Sequence, residues 1–117
     1  MFKVIAHGTV EFQEFIDQSN RFNAGIEAVR KCLAEGDRVI IKSNQEVLPL
    51  PDTKLETMQG VVGGLIEVVG CVLFPEMAVV INDEGRVRGL PYNQIASIAS
   101  GFQIFGDAIL LREDVLR

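Results

Sequence analysis

The chain has 117 residues, 48% of them hydrophobic and 23% charged, the make-up of one globular domain with a single modest core and no room for a second. Its 16 acidic and 11 basic residues give a formal net charge of −5, which disfavours direct binding to nucleic acid phosphates or anionic lipid. One His and two Cys cannot supply the roughly four closely paired ligands of a zinc site.

Cys32 and Cys71 stand far apart in apolar surroundings and read as small core hydrophobes in a reduced compartment. The start "MFKVIAHGTVEF" lacks the long apolar stretch and cleavage site of a secretory leader, so a cytoplasmic setting is expected. The longest apolar region, Gly60 to Ile81, is broken by Glu67, Pro75, Glu76 and several Gly, which rules it out as a spanning helix.

In chain order, "FKVIA" (Phe2 to Ala6) reads as a strand, with a turn at His7 and Gly8, while Glu11 to Gln18 fits strand and helix equally. Phe22, Ile26, Val29 and Leu33 recur at helical spacing, and Glu27 and Lys31 form an i,i+4 pair on another side. Asn20 or Asn23 suits the start of this helix and Gly36 its end. "DRVIIKS" and "NQEVLPL" form a hairpin about Asn44 and Gln45, with Pro49 and Pro51 pushing the second arm to a sheet edge.

Thr53 and Glu56 have capping-box spacing, and Leu55, Met58 and Val62 make the apolar stripe of a second helix. Gly63 and Gly64 stop it, and "LIEVVG" follows as a strand. A phosphate-binding loop runs in the opposite order, strand, glycines, helix, and no Gly-Lys-Ser/Thr is present. "MAVVIND" is a further strand, "NDEG" its turn and "RVRG" a returning arm. After Pro91, Tyr92 or Asn93 opens a short helix in which Ile95 and Ile98 share a face, and "FQIFGDAILL" makes two strand arms about Gly106 and Asp107. The expected fold is α+β: a largely antiparallel sheet of about six short strands, with two or three helices on one face.

Three stretches, "LETMQGVVGGLIEVV", "VVINDEGRVRGLPYNQIA" and "IFGDAILL", together resemble the family of small phage, plasmid and bacterial proteins known as domain of unknown function 3846. The matching positions are Leu55, Gln59, Val62, Gly63, Gly64, Ile66, Glu67, Asn82, Glu84, Gly85, Leu90, Pro91 and Asn93, while Leu65 departs from an aromatic residue common there. The resemblance divides the single domain into a family-like core, 38–111, and a strand-helix extension, 1–37. It implies no activity, only the setting of an accessory protein of a mobile element that binds a host protein or a small nucleotide-like ligand.

The candidate ligand-binding residues are Glu67, Asn82, Glu84, Arg86, Arg88, Tyr92 and Asn93. Each has a plainer reading. Glu67 in its strand is a solvent-facing carboxylate, or, if buried, a group with raised pKa paired to Arg86 or Arg88. Asn82 and Glu84 suit a turn for local hydrogen bonds alone, and Asn93 suits a helix cap. As a group, the neutral amides and arginines would hold a polar ligand at one rim pocket without chemistry.

No metal or cofactor motif is present, and neither His7 nor Ser97 and Ser100 stands in a triad or nucleophile-elbow pattern. The leading expectation is a non-enzymatic binding protein that self-associates. The rivals are a small hydrolase or nucleotide-modifying enzyme working through Glu67 and Glu84, and a purely structural homo-oligomer.

Overall fold

The computed structural model describes residues 23–34 and 36–116. The expected strand Phe2 to Ala6, the turn at His7 and Gly8, and Phe22 lie outside them.

Residues 23–34 are helical (α1), followed by β1 (Arg38–Ile41), β2 (Val47–Pro49), α2 (Leu55–Val62), β3 (Ile66–Gly70), β4 (Met77–Asn82), α3 (Gln94–Ser100) and β5 (Ala108–Arg112), with a closing 3-10 turn at Glu113–Leu116. The strands form one five-stranded sheet in the order β2-β1-β5-β4-β3, and every neighbouring pair is antiparallel. The last strand therefore lies in the middle. It joins the β1–β2 hairpin to the β3–β4 hairpin, pairing Ile40 with Ile109 and Val80 with Ile109 from its two sides.

Both faces of the sheet are covered. On one, Val39, Ile41, Val79, Ala108 and Leu110 meet Ile26 and Val29 of α1 and Ile95, Ala96 and Ala99 of α3. On the other, Val80, Ile109 and Leu111 meet Met58 and Val62 of α2, with Leu50 beside them. Two helices thus share a face as the pattern predicts, and the third takes the opposite one. This explains the sequence of the central strands, where Met77–Val80 and Ala108–Leu111 are buried without alternation.

The helical stripe of α1 packs as its spacing predicts, with Ile26 and Val29 buried and Leu33 half-buried. The start of α2 differs from the capping-box expectation. Its N-cap is Lys54, whose side chain makes no cap bond, and Asp52 Oδ1 instead accepts the Lys54 N–H at 2.9 Å. Hydrogen bonds from the Thr57 side chain and the Lys54 N–H hold the Asp52 carboxyl below its ordinary range. A carboxylate two residues before the N-cap therefore fixes the entry to the helix by accepting the N-cap's own N–H, and no N-cap side chain accepts an N–H of the first turn.

The end of α2 follows the expectation. Gly63 adopts φ 81° and its N–H donates to Gln59 O at 2.8 Å, as does that of Gly64 at 3.1 Å. This is the left-handed helix stop that glycine takes without steric cost, and it turns the chain straight into β3.

Two further elements differ from expectation. Residues 83–89 form consecutive turns in place of a returning "RVRG" strand, because their polar groups bond within the loop: Arg88 N–H to Glu84 O at 2.8 Å, Gly89 N–H to Arg86 O and Leu90 N–H to Gly85 O. A Cβ at Gly85 would lie 2.6 Å from Phe105 O, so this loop sits hard against the 105 backbone. Phe105 accordingly makes only an isolated bridge with Tyr92, which leaves β5 as the single strand of "FQIFGDAILL". In α3, Ile95 is buried but Ile98 is not: Ile95, Ala96 and Ala99 form the inner face, and Ile98 turns outward.

Candidate functional site

The chain from Asn82 to Asn93 carries six of the seven candidate residues, and the fold distributes them over two junctions. At the first, β4 ends on Asn82, which is buried. Its Nδ2 donates to Val62 O at 3.1 Å and its Oδ1 accepts the Glu84 N–H at 2.8 Å. One amide thus ties the last turn of α2 to the end of β4 and starts the following turn. Arg88 reaches the same place from the far end of the loop, donating from Nη1 to Gly63 O at 3.1 Å. Asn82 and Arg88 together satisfy carbonyls that the end of a helix leaves without intrahelical donors. The Glu84 side chain is exposed.

At the second junction, the Arg86 guanidinium lies 5.9 Å from the centroid of the Phe105 ring, and Tyr92 meets that ring edge-on at 5.6 Å and 64°. Cation and ring edge are both favourable partners of an aromatic face. Arg86 and Tyr92 remain exposed, so they frame Phe105 with a polar, aromatic surface. Beneath them Asn93 is almost wholly buried: Oδ1 caps α3 through the Ala96 N–H at 3.1 Å, and Nδ2 donates to Ile41 O at 2.8 Å and Gly106 O at 2.9 Å. Every polar atom of this amide is engaged inside the protein.

Glu67 stands apart on β3. It is exposed, on the α3 side of the strand and opposite Ile81, which is the solvent-facing reading, and the conditional pairing with Arg86 or Arg88 does not arise. The ion pairs of Arg38 with Asp37 at 3.3 Å and of Arg112 with Asp114 at 3.1 Å involve none of the candidates. Nor do the candidates line either of two concavities among the described residues. One, of about 660 Å³, is bounded by Leu33, Asp37, Glu76, Met77 and Arg112. The other, of about 320 Å³, is bounded by Cys32, Arg38, Pro49 and Leu50.

No cluster of three or more His, Cys, Asp or Glu able to hold a metal exists among the described residues, and no helix there is long and apolar enough to cross a membrane. Both cysteines are free thiols. Cys71 is buried with its Sγ 3.3 Å from Ala99 O, and burial raises its pKa. Ser97 and Ser100 are also internal ties: the Ser97 hydroxyl accepts the Ile104 N–H at 2.8 Å, and that of Ser100 accepts the Phe102 N–H at 3.1 Å.

The feature that sequence reasoning passed over is apolar. Ile98 on the outer side of α3 and Phe102, just past the Gly101 cap that ends it, are 44% and 54% exposed, and Val72 and Leu73 in the β3–β4 connection are 69% and 44% exposed. These side chains belong to one neighbourhood. The Leu73 N–H donates to Ala99 O at 3.0 Å, and Val72 Cγ2 lies 2.7 Å from where a Cβ at position 101 would stand. The sequence carries little signal for this group, because Phe102 lies past the left-handed Gly101 and Val72 and Leu73 come from another connection.

No curated protein and no solved structure matches the chain. The model of the family described as Domain of unknown function (DUF3846) matches residues 26–115, a span that begins inside α1 and ends in the closing 3-10 turn. Over that span, which includes the whole sheet, the chain belongs to the DUF3846 family.

Proposed function

We propose that this is a non-enzymatic accessory protein of phage or mobile-element type that binds a host protein through the apolar surface of Val72, Leu73, Ile98 and Phe102. The observation that carries the reading is that these four large apolar side chains are exposed on two stretches of chain that meet, Val72 at Gly101 and Leu73 at Ala99, since apolar surface gathered at one place marks interaction sites. The polar candidates support a small-ligand site less well, because the Asn82 and Asn93 amides are buried and bonded to the backbone, and one side of the Arg88 guanidinium is bonded to Gly63 O. The net charge of −5 favours a neutral or basic partner surface.

The test is affinity capture from a bacterial host lysate with the wild-type chain and an Ile98→Glu/Phe102→Glu variant, followed by titration of the purified captured protein. Two charges at the centre of an apolar interface weaken binding by about tenfold or more. Equal binding by the variant refutes the reading.

A second reading is favoured by one arrangement, the exposed Arg86 and Tyr92 around Phe105. A cation beside aromatic rings is the chemistry that stacks a planar base and neutralises a phosphate. A nucleotide-like ligand bound there would raise the melting temperature in proportion to its saturation, and Arg86→Ala/Tyr92→Ala would abolish the shift. A screen of nucleotides giving no shift removes this reading and leaves the first.

A further inference from the structure

The two edges of the sheet are not equivalent. In the β1–β2 hairpin the Lys42 N–H donates to Glu46 O at 2.9 Å, so with Ile40 opposite Leu48 the bonded pairs of the ladder fall at Leu48 and the outward-facing residues of β2 are Val47 and Pro49. Pro49 has no N–H. The β2 edge is therefore short and blunted by the residue type that natural sheets use for this purpose.

At the opposite edge, the Asp83 N–H donates to Leu65 O at 3.0 Å. Carried along the register Ile66↔Asn82 to Gly70↔Ala78, this phase turns Glu67 and Val69 toward β4 and points the N–H and C=O of Ile66, Val68 and Gly70 away from it. Among the described residues no strand lies beyond β3. Its outer edge has no proline and no lysine, and the Val68 side chain is 48% exposed.

We infer that β3 pairs antiparallel with β3 of a second copy of this chain about a two-fold axis at Val68, joining the two sheets into one continuous sheet. The sequence of the strand selects this register. Centred on Val68, each Val68 bonds its symmetry mate and each Ile66 bonds the mate's Gly70, so all the outward donors and acceptors of β3 are used, and Ile66 lies beside a residue with no side chain to crowd it. Glu67 then faces Val69. Centred on Glu67, the two carboxylates would oppose one another across the closest type of pair, which is destabilising, and Gly70 would lose its partner strand. Centred on Val69, Ile66 would fall opposite a position beyond the strand. The Val68 arrangement is isologous, as two-fold interfaces are.

This interface lies along the strand edge, whereas the apolar surface proposed for a host protein lies on α3 and the β3–β4 connection, so either proposal can fail without the other.

Light scattering on the full chain gives the subunit number, and the wild type is expected at twice the 12.9 kDa chain mass. Val68→Pro removes the central donor without touching a β3–β4 bond, and Val68→Lys sets two ammonium groups facing each other across the axis. Both are expected to run as monomers with unchanged circular dichroism, and Val68→Lys remains informative if the proline variant fails to fold. Under mild oxidation Val68→Cys is expected to form a disulfide-linked dimer, because residues paired across an antiparallel ladder bring their Cα atoms to about 5.5 Å, within disulfide range. Glu67→Cys and the wild type, with only Cys32 and Cys71, are the controls. A monomeric wild type overturns the inference, as does a dimer that persists in Val68→Lys, or faster cross-linking at position 67 than at 68.

Discussion

Asn93 offers the sharpest separation between a ligand contact and a structural tie, and the perturbation is Asn93→Ala. The side chain is 1% exposed, and it caps α3 while donating to Ile41 O and Gly106 O. Losing an N-cap costs about 1 kcal/mol. Ile41 O keeps the Ala108 N–H of the β1–β5 ladder, whose bonded phase is set by the Arg112 N–H to Asp37 O, so Gly106 O is the carbonyl left without its side-chain donor, at roughly 1–3 kcal/mol. The expected loss is therefore about 2–4 kcal/mol, a large share of the roughly 6–17 kcal/mol that a chain of this length has at typical stability per residue. With a urea m-value of about 1.5 kcal/mol/M, the midpoint moves down by about 1–3 M. Asn93→Ser retains a capping oxygen but neither long-range donor, so it recovers only about 1 kcal/mol. Equilibrium urea unfolding followed by circular dichroism measures both. A loss below about 1 kcal/mol for Asn93→Ala would refute the reasoning and return Asn93 to the list of ligand contacts.

The other predictions concern individual elements. Gly63→Ala places a Cβ on a residue at φ 81° and is expected to cost about 1–2 kcal/mol, whereas Gly60→Ala, exposed and with nothing near its Cβ position, should stabilise by about 0.5–1 kcal/mol. A gain from the first substitution would contradict the helix stop. Ile109→Ala and Leu110→Ala empty opposite faces of the same central strand, and each is expected to cost about 2–5 kcal/mol by urea unfolding. If only one is costly, one of the two cores is not formed.

For Asp52, the folded-state pKa lies below 3.8, so its contribution is present above the unfolded pKa and is lost as pH falls through the folded value. Asp52→Asn should accordingly be less stable than wild type at neutral pH, with the difference closing in strong acid. A difference independent of pH would place the effect elsewhere. Toward a thiol reagent, half-buried Cys32 should react before Cys71, whose burial and raised pKa protect it.

Much of the fold is legible because its elements carry local signals. The 3.6 period over Ile26, Val29 and Leu33, the β-branched runs, and the glycine pair after Val62 each act within a few residues. What escaped was non-local. The placement of β5 between β1 and β4 depends on pairings such as Arg38 with Leu111, which no local window contains. Even so, the unbroken apolar run Ala108–Leu111 was a sign that both sheet faces would be covered, since a strand open to solvent on one side alternates.

Thr53 and Glu56 have capping-box spacing, but the N-cap falls one residue later, at Lys54, and a one-residue shift at a helix start is not resolved by spacing alone. The candidate site was only partly legible for a related reason. Asn82 and Asn93 were picked out as polar residues beside turns, and sequence alone does not reveal that their amides point inward. Tyr92 and Phe105 meet across a stretch of chain that includes all of α3. The exposed apolar group around Ile98 went unnoticed because exposure is a property of the assembled surface.

The most direct measurement is the titration of a purified captured partner into the wild-type chain and into Ile98→Glu/Phe102→Glu, with urea unfolding of both proteins alongside. The proposed function predicts saturable binding by the wild type and about tenfold or greater weakening in the variant, at stabilities within about 0.5 kcal/mol of each other. Undiminished binding by an equally stable variant would contradict it.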